Sequence, residues 1–117
     1  MKALRIGEHG DLTEVDLPDE SAARIAVTRK LVAAESVEAL TLTSRGSAWL
    51  DENGIIVGRP VNQHATALAR CCGLGVTLRG PVVVTGAGPE DGTTAPLTAE
   101  QVTAIRNKVT IGLDGGS

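Results

Sequence analysis

Apolar and polar positions divide the chain into short alternating segments and longer amphipathic ones. Lys2 to Ile6 reads as a strand, followed by the turn Glu8-His9-Gly10-Asp11, in which Gly10 is free to take positive φ. Thr13, Val15 and Leu17 then alternate with Glu14 and Asp16, the period-2 pattern of a half-buried strand, and Pro18 ends it. From Ala22 to Ala34 the period changes: Ala23, Val27, Leu31 and Ala34 recur at three- and four-residue steps, which predicts a helix capped by Asp19 or Ser21. Val37 to Thr43 is rich in β-branched residues and predicts a strand, closed by a turn over Ser44 to Ser47.

The middle of the chain combines turn signals with polar groups. Ala48 to Leu50 and Ile55 to Val57 flank Asp51-Glu52-Asn53-Gly54, and Asn-Gly between apolar runs predicts a hairpin. Gly58 and Pro60 break the second strand. A helix is predicted over Pro60 to Cys72, with Val61, Ala65, Leu68 and Cys72 on its inner face and Gly73 and Gly75 stopping it. Val82, Val83 and Val84 have no polar alternate, as in a central strand covered on both faces. Gly86 to Pro96 reads as a surface loop. Thr98 and Gln101 stand at capping-box spacing, Leu97 is placed to staple onto Val102, and Val102, Ile105 and Val109 form the stripe of a last helix. The expected fold is α+β: a mixed, mainly antiparallel sheet of five or six strands with about three helices. It forms one domain over residues 1–112 with a flexible tail at 113–117.

Composition narrows the chemistry. A chain of 117 residues with 42% hydrophobic content supports one packed core, which excludes a disordered chain. Trp49 is the sole aromatic, so the core is aliphatic and base stacking on single-stranded nucleic acid is not expected. The 11 Lys and Arg are scattered and the net charge is −3, so direct nucleic-acid binding is not expected either. No apolar run approaches a membrane span, and MKALRIGEHG lacks the apolar core of a secretory signal. The adjacent Cys71 and Cys72 make no disulfide framework, which points to a reducing cytoplasm.

No catalytic constellation stands out. His9, His64, Cys71 and Cys72 are the soft metal-ligand candidates. On one helix, however, His64 and Cys71 lie about 10 Å apart along the axis, too far for one zinc ion or a catalytic dyad. Gly86-Ala87-Gly88 follows an apolar strand, but Pro89, Glu90 and Asp91 come next and would repel phosphate. No metal, cofactor or catalytic residue is assigned. Arg59, Asn62, Gln63 and His64 remain, gathered where a helix begins. They are either a small polar contact site for a ligand or partner, since a helix N-terminus favours anions, or the cap and turn that fix the fold.

M-K-A-L-R-I at the start, E-V-D-L-P at Glu14 to Pro18, D-E-N-G at Asp51 to Gly54 and G-R-P-V-N-Q-H-A-T-A-L at Gly58 to Leu68 together resemble a known family. P-V-V-V-T-G at Pro81 to Gly86 and L-T-A-E-Q-V at Leu97 to Val102 continue the resemblance over nearly the whole chain. The family consists of small phage, plasmid and actinobacterial proteins and is catalogued as a domain of unknown function, number 3846. The resemblance implies a mobile-element or accessory-genome setting in a bacterial cytoplasm, and no reaction. The expected function is non-enzymatic binding of another protein, as a regulator or inhibitor in phage–host conflict. The alternatives are sequestration of a nucleotide or other anion near Arg59, Asn62 and His64 and, third, an enzyme built on His64. Homodimerisation is an expectation for a small domain with exposed strand edges.

Overall fold

A computed structural model of the chain describes residues 1–43, 46–87 and 94–115. The elements, in order, are β1 (Lys2–Ile6), β2 (Leu12–Asp16), α1 (Ser21–Val32), β3 (Val37–Thr43), β4 (Gly46–Asp51), α2 (Gln63–Cys71), β5 (Val82–Ala87), β6 (Thr94–Ala95) and α3 (Ala99–Gly115). The fold is α+β, with one six-stranded sheet and three helices. Its order is β2-β1-β5-β4-β3, with β6 paired to β5, and every pairing is antiparallel. The helix α3 continues to Gly115, past residue 113 where the sequence pattern puts a tail.

Side-chain alternation along the strands makes three layers. Leu4, Ile6, Ala48, Leu50, Val82 and Val84 point to one face, where Ala65, Leu68 and Ala69 of α2 and Val102 and Val109 of α3 cover them. Ala3 and Val83 point to the other face and meet Leu17 and Val32, with Val27, Leu31, Val37 and Trp49 packed around. The all-valine run is therefore the central strand, fully buried from both sides. Each valine so buried stabilises the fold by about 1.5–3 kcal/mol relative to exposure. Trp49 lies against the α1 side and donates its indole N–H to the Thr85 hydroxyl at 2.9 Å, which satisfies both groups.

Both kinds of predicted cap occur, one at a shifted position. The capping box of α3 forms reciprocally: the Gln101 amide donates to Thr98 Oγ1 at 3.1 Å and the Thr98 amide to Gln101 Oε1 at 2.9 Å. In α1 the cap is Glu20 rather than Asp19 or Ser21; its carboxylate accepts from the amides of Ala22 and Ala23. Asp19 is drawn toward the Met1 ammonium at 3.5 Å and Ser21 lies inside the helix, so the longer Glu20 side chain reaches back instead.

Two other segments depart from the pattern. Ile55 to Val57 is not a strand, and no hairpin forms around Asn53-Gly54. The strand β4 already pairs with β3 on one side and β5 on the other, so it has no free edge for a further strand. The chain instead winds through successive turns: Gly54 N–H donates to Asp51 O, Val57 N–H to Asn53 O and Arg59 N–H to Gly54 O. Thr94-Ala95, expected in a loop, forms β6 by pairing with Ala87 and Gly86 of β5. Ser44 and Arg45 of the predicted turn and the loop residues 88–93, with Gly88 of the Gly-Ala-Gly triplet, lie outside the described residues.

Candidate functional site

Of the polar residues at the start of α2, Asn62 is held inside the fold. Asn62 is fully buried and caps α2: its Oδ1 accepts from the Ala65 amide at 3.0 Å. Its amide nitrogen donates to the carbonyls of Ile6 at 3.0 Å and Gly80 at 2.9 Å. The Asn62 backbone amide donates to Leu78 O, and the Gly80 amide returns a bond to Pro60 O. One side chain thus joins β1, the entry to β5 and α2. The helix begins at Gln63, not Pro60, because Asn62 holds an extended conformation as its cap. Val61 is drawn into a bridge with Arg79 and lies exposed, rather than on the inner face.

Arg59 is committed in the same way. Its Nε donates to the buried carboxylate of Asp51 at 2.8 Å, and its Nη2 donates to the carbonyl of Ala33. The Asp51 carboxylate also accepts from the Asn53 amide, so the acid that starts the turn anchors both ends of it. The arginine stem crosses Gly80, which takes φ +75, and a Cβ at that position would lie 2.7 Å from Arg59 Cδ. Glycine is required there by backbone sign and by space. Arg79 completes the frame by donating to Arg59 O at 3.0 Å.

His64 and Gln63 do not join these two. The His64 imidazole packs over the β1–β2 turn, where a Cβ on Gly10 (φ +92) would come within 2.6 Å of Cε1. Gln63 is exposed. Around the start of α2, Arg59 Nε and Nη2 are engaged by Asp51 and Ala33, and the Asn62 amide nitrogen by Ile6 and Gly80.

The candidate ligand atoms for a metal are also dispersed. Among the described residues no three His, Cys, Asp or Glu side chains converge on one point. Cys71 is exposed on α2 with its Sγ 3.2 Å from the Lys108 carbonyl, whereas burial pushes the Cys72 thiol up, away from the reactive thiolate.

The feature that stands open is next to this polar frame. A groove of about 460 Å³ lies on the α2 side of the sheet, floored by Leu40, Leu50 and Leu78. Ile55, Ile56 and Val76 wall it, and the carboxylates of Glu38 and Glu52 stand exposed at its rim. Ile55, Ile56 and Val57 are 80%, 84% and 62% exposed. Their apolar character reads in sequence as a second hairpin strand. The contrary signal is that Asn53-Gly54 and Gly58-Arg59-Pro60 bracket only three residues, short for a strand.

The chain belongs to the family described as domain of unknown function (DUF3846), whose profile matches residues 1–110. No curated protein and no solved structure matches it. Among the described residues no helix is long and apolar enough to cross a membrane.

Proposed function

We propose that this chain is a non-catalytic protein-binding module, acting as a regulator or inhibitor of a host or phage protein in a bacterial cytoplasm. The observation that carries the reading is the ridge Ile55-Ile56-Val57. Three consecutive large apolar side chains stand in solvent beside an apolar groove, while Asp51 and Asn62 on either side of the turn are buried. Exposed apolar surface of this kind is characteristic of interaction sites. The turn carrying it is pinned by the Asp51–Arg59 pair and by Gly80, so the ridge is presented in one shape and little ordering is required on binding. The exposed charges at the groove's rim, Glu38 and Glu52, are both acidic, and the half-buried Arg79 that also lines it donates to the Arg59 carbonyl. The partner that fits is an amphipathic segment with apolar residues for the groove and lysine or arginine at its margins. The mobile-element setting rests on the family resemblance.

The test is affinity capture from a bacterial lysate with the wild-type chain and with Ile55→Ser/Ile56→Ser, followed by cross-linking to map the bound segment. A stoichiometric partner held through a basic, apolar segment and lost with the double variant is expected. No stoichiometric partner, or one that the double variant retains, overturns the reading.

A further inference from the structure

The two edges of the sheet are built differently. The β2 edge is five residues long and carries Glu14 and Asp16 in its outer strand, with Lys2 and the Met1 ammonium paired to them. Charges on a short edge strand discourage a second chain from adding to it. The β3 edge is the longest strand, with seven residues, VEALTLT, and Glu38 is its sole charge. Among the described residues nothing pairs with its outer side.

The ladder fixes which backbone groups that edge offers. The Glu52 amide donates to the Ser36 carbonyl at 3.1 Å, on the same register that pairs Val37 with Asp51 and Ala39 with Trp49. Bonded pairs alternate along an antiparallel ladder. Ser36, Glu38 and Leu40 therefore turn their amides and carbonyls toward β4, and Val37, Ala39 and Thr41 turn theirs outward. The register shift in β3 falls between Thr41 and Thr43, beyond these three.

We infer that β3 pairs with β3 of a second copy of this chain, antiparallel, about a two-fold axis at Ala39. In that register Ala39 faces Ala39, Val37 faces Thr41 and Glu38 faces Leu40. All outward-turned groups are satisfied, by about six backbone hydrogen bonds. The small alanines allow close approach at the axis, and no like charges stand directly opposite each other. The two Glu38 carboxylates come closest on the diagonal, so Glu38→Gln tightens the dimer. The pair makes one continuous sheet and sets both Ile55–Val57 grooves on the same face. The strip is narrow, so the dimer forms in the micromolar range or weaker. This inference does not depend on what occupies the groove.

Sedimentation over a concentration series tests it. The wild-type chain is expected to pass reversibly from monomer to dimer. Ala39→Pro removes only an outward amide, so it is expected to weaken the dimer by about tenfold or more while leaving thermal melting near wild type. Glu14→Pro, the same change on an outward amide of β2, leaves the dimer intact. In a Cys71→Ser background, Ala39→Cys is expected to cross-link on mild oxidation far faster than Glu14→Cys; this arm holds even if the proline variants fold poorly. A wild-type chain that stays monomeric throughout overturns the inference. So does an Ala39→Pro dimer as tight as wild type, or equal cross-linking at the two edges.

Discussion

Within the twelve residues from Asp51 to Asn62 the usual placement of side chains is reversed at several positions, although Glu52 and Asn53 stay in water. Asp51 and Asn62 are buried, and Arg59 is largely so, whereas Ile55, Ile56 and Val57 between them stand in water. The polar residues are inside because each is satisfied there: among the described residues no buried side-chain nitrogen or oxygen lacks a partner. The apolar residues are outside because β3 and β5 occupy both sides of β4 and leave the triplet nowhere to pair. In this stretch the buried polar groups form the frame, and the exposed apolar triplet is the surface proposed to meet a partner. Substitutions in the two groups should accordingly have opposite consequences.

The largest effect is expected at Asn62. Asn62→Ala strands the carbonyls of Ile6 and Gly80 and the Ala65 amide in a buried site, at a cost of about 2–4 kcal/mol in chemical denaturation. Asn62→Asp keeps an acceptor for the cap but removes the two amide donors, so it should also destabilise strongly. If both variants unfold like wild type, the polar frame is not what holds this region.

Arg59→Met comes next. It keeps a stem over Gly80 but leaves Asp51, with 6% of its side chain exposed, without its cation. Removing one partner of a buried pair is costly, and the partial exposure of Arg59 reduces that cost to about 1–3 kcal/mol. Adding Asp51→Asn should recover part of the loss, because it removes the stranded charge. A double-mutant cycle from denaturation midpoints measures the coupling, and strict additivity would show that the pair does not anchor the turn.

These two residues also show how far the sequence could be read. The valine run, the capping box and the helix stripes are local patterns, and the central strand, the cap of α3 and the three helices follow from them. The chemistry of Asn62 is not local. Asparagine before an alanine-rich helix is compatible with a cap or a contact site, and only the approach of Ile6 and Gly80, distant in sequence, shows that its donors are taken. For Ile55 to Val57 the pattern pointed the wrong way, because whether an apolar triplet joins a sheet depends on whether its neighbour strand has a free edge. That is a property of the strand order, which no window of sequence contains.

For the ridge itself the expected stability effect is small. Ile55→Ser/Ile56→Ser should change stability by no more than about 0.5 kcal/mol, since exposed side chains contribute little to folding. Loss of partner capture with unchanged melting is the combination that separates ridge from frame. Substantial destabilisation by the double variant would mean that the ridge packs in solution, which would undo the comparison.

The smallest effect is expected at Glu20, which also caps a helix with its side chain. Like Asn62, it accepts amide hydrogen bonds, here from Ala22 and Ala23, but it does so in full contact with solvent. The amides of Ala23 and Ala22 hold its carboxyl below the usual glutamate range. A carboxylate with a lowered folded pKa stabilises the protein above its unfolded pKa, and the contribution is lost as pH falls through the folded value. Thermal melting followed from neutral to acidic pH should therefore show Glu20→Gln approaching the wild type as the pH drops, with only a slight difference at neutral pH. If Glu20→Gln instead costs as much as Asn62→Ala, then capping alone, and not burial of the cap among distant carbonyls, gives Asn62 its weight.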